Sequence, residues 1–339
     1  MQENNSIQIN KVLITGIGGF VGSHLADYIV AEFPNVQVLG LTRWWEPREN
    51  IKQSIDKIKL CYGDLVDLPS LEAVLQEHKP DVIFHLAAQS YVDFSFWAPI
   101  TTLDTNVIGT ANLLEVVRKL KASSGYDPII QIASSSECYG QVKENEVPIK
   151  ETNAFRPASP YAVSKVAEDM LALQYWLSWK VRTIRTRMFT HTGPRRGEVF
   201  VESTFAKQIA AIEAGLQEPV VKVGNLESVR TFLDIKDAIR AYWLLVNKCS
   251  PGEVYNVGGK ETMTVGEMLD KLLKLSTVKD IKVEVDSSRL RPSDVTLQIP
   301  CVDKFKQITG WEPEIKFDKT LEDILNYWRD YYKREKQNA

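Results

Sequence analysis

Short runs of β-branched and aliphatic residues alternate with longer amphipathic stretches through the first half of the chain. The runs at 11–15, 36–41, 58–62, 82–86, 129–133 and 181–187 are nearly all apolar rather than alternating, which predicts strands covered by helices on both faces. Between them, 22–32, 68–77, 105–119 and 160–176 carry a helical period and are long enough for right-handed crossovers. This rhythm predicts an α/β fold built on a doubly wound parallel sheet. Beyond Phe189 the rhythm changes: a loop-like TGPRRGE, helices near 205–214 and 236–246, a strand at 253–257, a helix at 265–275, a charged RLRPSD segment and a last helix at 321–332. The expected organisation is one domain over 1–188, to which 229–257 returns, and a smaller C-terminal α/β substrate domain over 189–228 and 258–339.

Composition narrows the function classes. With 339 residues and 44% hydrophobic content the chain can bury a large core. A net charge of -3 gives no overall pull toward nucleic acid or an anionic membrane, so any phosphate must be held by locally placed Arg and Lys. Cys61, Cys138, Cys249 and Cys301 are scattered, without C-x-x-C pairs or a neighbouring His cluster, and suggest neither a disulfide framework nor a metal site. The polar start MQENNSIQIN lacks an apolar signal region, and no stretch approaches the roughly 20 apolar residues of a membrane span. The expectation is a cytoplasmic protein with a small-molecule partner.

The strongest local signal follows the first predicted strand. KVLITGIGGFVG places Gly16, Gly19 and Gly22 in G-x-x-G-x-x-G spacing between a strand and a helix, the context of a Rossmann dinucleotide turn. The helix N-terminus then offers free N–H groups and its positive dipole end to a pyrophosphate. After the second strand, LGLTRWW puts Arg43 where an acidic residue would hold a ribose 2′-hydroxyl. A cation there suits a 2′-phosphate and favours NADP over NAD. Asp64, after the third strand, is placed for the adenine. Phe20, Val21, Leu65, Leu86 and Ala87, at the same strand ends, complete the expected cofactor set.

In SPYAVSK, Tyr161 and Lys165 are four apart on a predicted helix and share a face. A nearby ammonium and a positive nicotinamide ring favour phenolate, so the pair predicts a tyrosine base whose pKa is lowered. IASSSECYG, directly after a strand at the sheet's C-terminal edge, offers Ser135 to the oxygen undergoing oxidation.

GIGGFVG, HLAAQS, NVIGT, SSSECYG and PYAVSK, in this order, resemble the extended short-chain dehydrogenase/reductases over nearly the whole chain. That resemblance implies Ser135, Tyr161 and Lys165 as the catalytic set, with Asn106 in support at the substrate. THTGPRRGEVFV, VGNLESVRTFLD, RLRPSDV and TGWEP look like the branch of GDP-mannose 4,6-dehydratases and GDP-4-keto-6-deoxymannose reductases. The likeness implies a GDP-sugar partner. Arg230 and Arg291 would meet its diphosphate and Asp294 its ribose hydroxyls, while Arg195 and Arg196 lie in the segment that encloses the nucleotide. It also implies a homodimer or homotetramer built through the helices at 105–119 and 160–176.

Glu137 separates the activities within that branch. A 4,6-dehydratase needs an acid/base beyond Tyr161 to remove the C5 proton and expel the C6 hydroxyl. SSSECYG supplies Glu137 two residues after Ser135, on the same side if the segment is extended. The expectation is a dehydratase of the lyase class. FAKQIAAIEAG and VGNLESVRTFLDIKDAIRAYWLL resemble the reductases instead, and an NADPH-dependent 4-reductase or a nucleotide-sugar epimerase is the alternative. Two segments depart from the dehydratase pattern: WWEPREN replaces its basic, serine-rich cofactor loop, and Thr204 stands where a basic residue is expected.

Overall fold

The computed structural model describes residues 8–290, 295 and 297–338. Strands β1 (Lys11–Thr15), β2 (Gln37–Thr42), β3 (Ile58–Tyr62), β4 (Val82–His85), β5 (Ile129–Ser135) and β6 (Thr183–Met188) form one sheet with a seventh, Val254–Val257. Every pairing in it is parallel, in the order seventh–β6–β5–β4–β1–β2–β3. The winding reverses between β1 and β4, so the crossovers on either side diverge and leave a crevice beyond the C-terminal strand ends.

The continuous apolar runs are explained by what each face meets. Along β1, Val12 and Ile14 enter one core while Leu13 enters the other; β4 divides in the same way, Val82 and Phe84 against Ile83. The first core is closed by α1 (Phe20–Glu32) and α8 (Ile235–Lys248), through Leu25, Ile29, Ile239 and Leu245. The second is closed by α2 (Leu68–His78), α5 (Gly109–Ser124) and α6 (Pro160–Trp179), through Leu75, Leu113, Val117 and Ala172. Each fully buried Leu, Ile or Val here contributes roughly 1.5–3 kcal/mol of apolar burial.

A further core forms from α7 (Val201–Glu213), the strand Val220–Val223, α9 (Val265–Leu275) and α11 (Phe317–Asn338), where Phe205, Val221, Leu269 and Leu325 meet. The Trp328 indole donates to Ser203 Oγ at 2.9 Å, locking α11 onto α7.

The expected helix at 105–119 does not run unbroken. Asp104–Ile108 forms a wider π turn between α4 (Pro99–Leu103) and α5, itself preceded by α3 (Val92–Trp97). The wider turn accompanies Asn106, whose side chain is wholly engaged inside the protein: Oδ1 accepts from Gln89 N at 2.8 Å, and Nδ2 donates to Gln89 O at 3.0 Å and Ser164 Oγ at 2.9 Å. Asn106 thus clamps the loop after β4 to α6.

At the sheet reversal, buried His85 bridges Thr15 Oγ1 at 3.0 Å and Thr110 Oγ1 at 2.9 Å. Burial pushes the imidazole down to about 3, so it stays neutral at physiological pH. Thr15 Oγ1 also accepts from Leu86 N and Ala87 N, which fixes the ends of β1 and β4 against each other.

Candidate active site

A cavity of about 710 Å³ runs along the C-terminal edge of the sheet, from the turn after β1 to the loops after β5 and β6. It is large enough for a drug-sized ligand. Gly16, Gly19, Phe20, Val21, Gly22, Arg43, Asp64, Leu65, Leu86 and Ala87 all line it, so every cofactor position expected from the sequence reaches one surface.

Gly16 has φ +68°, and a Cβ there would lie 2.9 Å from Ala87 Cα. A Cβ on Gly22 would stand 2.3 Å from the Gly16 carbonyl, so only glycine lets α1 start this close to the turn. The turn closes with Gly19 N donating to Gly16 O at 3.0 Å. No side chain caps α1 and its first turn carries no acid, so its N-terminal N–H groups and dipole end suit an anion. These features fit a dinucleotide pyrophosphate.

The other end of the cavity gathers ionisable groups. α6 begins at Ser159, whose hydroxyl accepts from Ala162 N at 3.0 Å, with Pro160 in the first helical position. This cap, worth about 1 kcal/mol, fixes the turn that carries Tyr161. Lys165 lies one turn on, its Nζ donating to Ala133 O at 2.9 Å and Glu168 Oε2 at 3.0 Å. Tyr161 does not show the net lowering expected from its neighbour. Burial raises it, Lys165 and the Ser135 hydroxyl oppose that rise, and Glu168 and Glu137 add to it. Burial outweighs a single ammonium that is already paired with a carboxylate. A cationic ring in the cavity would add to the opposing side.

Ser135 ends β5, and Ser136–Cys138 turns at once into a 3₁₀ helix, with Ser135 Oγ accepting from Glu137 N at 3.1 Å. Glu137 therefore reaches the cavity wall beside Ser135 through a tight turn, not through strand alternation as the sequence suggested. Its Oε1 accepts from Gln298 Nε2 at 3.3 Å and lies 3.9 Å from Arg230 Nη1. Gln298 is buried and receives Ser136 Oγ on its own Oε1 at 2.7 Å. Gln298 was not expected from the sequence, because it reaches Glu137 only through pairing of the strand Leu297–Gln298 with Val229–Thr231.

The segment after β6 is also corrected. Arg195 does not line the cavity: it adopts φ +68° and binds Asp27 Oδ2 on α1 at 2.6 Å. Its neighbour Arg196 takes the wall, with its guanidinium 3.6 Å from the centroid of the Phe200 ring. Adjacent residues in an irregular loop face apart, so Arg195, the one expected at the substrate, turns to α1 and Arg196 to the cavity. His191 was missed as well. It stacks on Phe20 with centroids 5.9 Å apart, and Nδ1 lies 3.0 Å from Phe189 O. Burial, aided by Arg196, pushes it down to about 4. A neutral ring must then donate from Nδ1 to that carbonyl, leaving the buried Nε2 as an acceptor without a partner. Asn106, expected to support the substrate, is instead the clamp described above, whereas Arg230 lines the cavity. Arg291 and Asp294 lie outside the described residues. Among the described residues no group of His, Cys, Asp and Glu could hold a metal.

Comparison with known proteins agrees with this fold. The family model for GDP-mannose 4,6 dehydratase matches residues 13–324. The chain belongs to the GDP-mannose 4,6-dehydratase family. Within that family setting it is 34% identical to the GDP-mannose 4,6-dehydratase of Vibrio cholerae, over 93% of this chain and 92% of that one. It is 32% identical to the GDP-6-deoxy-D-mannose reductase of Pseudomonas aeruginosa, over 96% and 99% of the two chains. The solved structure of RMD from Pseudomonas aeruginosa complexed with NADPH superposes with a TM-score of 0.80 at 32% identity, covering 95% of this chain and 99% of that one. The extended short-chain dehydrogenase/reductase fold expected from the sequence stands on these likenesses.

Proposed function

We propose that the protein is a GDP-sugar 4,6-dehydratase that uses NADP and acts on GDP-mannose or a close relative. The observation that carries this reading is Glu137, which shares the cavity wall with Ser135 and Tyr161. The turn from Gly16 to Gly22 would hold the pyrophosphate, Asp64 and Leu65 the adenine side, Arg43 the 2′-phosphate, and Lys165 and Leu86–Ala87 the nicotinamide half. A dinucleotide held there would supply a hydride acceptor for C4 of the hexose and the hydride returned at C6. Tyr161, aided by Ser135, takes the proton of the C4 hydroxyl. Glu137 then removes the C5 proton, made acidic by the new C4 ketone, and passes it to the departing C6 hydroxyl, which leaves as water; a solvent proton restores C5 as C6 is reduced, and Tyr161 releases to solvent the proton it took from the C4 hydroxyl. Arg230 and Arg291 would bind the diphosphate, with Asp294 on the nucleotide ribose and Arg196 closing the same space. The segments 189–228 and 258–339 would form the sugar-nucleotide half around these groups, and 1–188 with 229–257 the cofactor half.

Incubation of the purified protein with GDP-mannose and catalytic NADP is expected to give a product lighter by one water in mass spectrometry. Absence of that product refutes the dehydratase reading. A second reading, the NADPH-dependent 4-reductase, is favoured by the likeness to the Pseudomonas aeruginosa reductase across 99% of its length. It would show as stoichiometric consumption of NADPH with a 4-keto-6-deoxy sugar.

Cytoplasmic action suits the four free thiols; no helix among the described residues is long and apolar enough to cross a membrane. Assembly is supported by apolar side chains left on the surface of α3–α6: Trp97 at 87% exposure, Leu177 at 62%, and with them Ile100, Ile108, Val163 and Met170. An exposed apolar set of this extent suits a subunit interface. Light scattering is expected to give at least twice the 38.5 kDa of one chain, and Leu177→Glu to lower it; a monomeric wild type refutes the assembly.

A further inference from the structure

Arg43 is already paired with a carboxylate. Immediately beyond β2 the chain doubles back, with Glu46 N donating to Arg43 O at 3.2 Å, and the Glu46 carboxylate folds onto the strand end. Its Oε1 accepts from Arg43 Nε at 2.8 Å, while Oε2 accepts from Thr42 Oγ1 at 2.9 Å and Arg43 N at 3.3 Å. The Arg43 guanidinium also lies 5.3 Å from the centroid of the Trp45 ring. Thr42, Arg43 and Glu46 all line the cavity, and Thr42 follows Leu41, which pairs with Thr15 at the glycine turn. The loop is pinned over that turn by Asn50 Nδ2, which donates to Gly18 O at 3.0 Å.

A carboxylate at the end of the second strand of such a sheet accepts the hydroxyls of the adenosine ribose. Here that position holds Arg43, but the fold returns a carboxylate to the same place from three residues on. We propose that Glu46 is a cofactor-selectivity residue: it accepts the ribose hydroxyls of a dinucleotide lacking a 2′-phosphate, and it opposes a 2′-phosphate by charge and by holding Arg43. The inference deepens the dinucleotide reading proposed above and rests on it.

Arg43 and Glu46 therefore pull in opposite directions. A 2′-phosphate must take the guanidinium from its partner and tolerate the carboxylate that remains, and two anions sharing one cation repel. A ribose with free hydroxyls leaves the ion pair intact. The site is built to accept both NADP and NAD, with Glu46 capping the advantage that Arg43 gives to NADP. The ion pair is partly exposed, at 44% and 27% for the two side chains, so it can be exchanged.

Titration of the full-length protein with NADPH and NADH, followed by nicotinamide fluorescence, tests this directly. Glu46→Gln is expected to tighten NADPH about tenfold while weakening NADH by about threefold. Arg43→Ala is expected to weaken NADPH and leave NADH within about twofold. Retained NADH binding by both variants shows that the cavity is still formed. If Glu46→Gln leaves NADPH affinity unchanged, the role of Glu46 falls while the dinucleotide site stands. If the wild type binds neither dinucleotide, both fall.

Discussion

Glu137→Gln is expected to leave oxidation at C4 largely intact and to slow loss of water by about 10²–10⁴-fold, the usual share of a positioned acid/base. Glutamine keeps the size of the side chain and can still meet Gln298 and Arg230, so the wall around Ser135 should hold its shape. What it lacks is a carboxylate that can take the proton from C5 and deliver it to the C6 oxygen. On mixing with GDP-mannose, the variant should form the 4-keto sugar with its C6 hydroxyl in place, and solvent deuterium should not enter at C5. Tyr161→Phe removes the group that accepts the C4 hydroxyl proton and should abolish the first step. The two variants together separate oxidation from elimination. If Glu137→Gln loses both steps to the same extent, Glu137 is a structural or general binding residue and the dehydratase assignment loses its main support.

Asp169→Asn should be the most destabilising conservative change on α6. Asp169 is fully buried and accepts from Arg185 Nη1 at 3.0 Å and from Arg187 Nε and Nη2 at 2.9 and 3.0 Å. Two guanidiniums thus share one carboxylate. Arg187 has further support, donating to Tyr139 Oη at 3.0 Å and Glu151 O at 2.8 Å, and its guanidinium lies 4.5 Å from the centroid of the Phe155 ring. Arg185 has less, one bond to Gly252 O and a buried Nε without a partner. Removing the anion that both arginines share should cost about 3–5 kcal/mol, because their charges stay buried. Arg185→Met removes one cation and leaves Asp169 with Arg187, so it should cost far less. Denaturant unfolding of the two variants checks the order, and a larger loss for Arg185→Met would overturn it. Function follows stability here, since the cluster ties α6, which carries Tyr161 and Lys165, to β6 beneath it.

Lys165 shows how one residue can be identified in the sequence while its environment is not. The Tyr161–Lys165 spacing is local, because a helix places residues four apart on one face whatever surrounds it. The Glu168 carboxylate bonded to Lys165, three residues on, is equally local, but the burial of that face depends on how α6 lies over β5. Hence the sequence shows the ammonium that lowers Tyr161 but not the burial that raises it. Arg43 makes the same point. Its position at the strand end was correct, yet the turn that brings Glu46 back onto it gives no periodic signal.

The sequence by itself determined the parallel sheet, the glycine turn, the placing of Ser135, Tyr161 and Lys165 as candidates and the presence of Glu137. Each of these is written within a few consecutive residues, as an apolar run, a backbone constraint or a helical spacing. Tertiary structure decided which of Arg195 and Arg196 faces the cavity, that Asn106 is a clamp, and that Gln298, His191 and Glu46 belong to the site. Those outcomes depend on loops whose course follows from packing between distant segments, and nothing in local propensity encodes it.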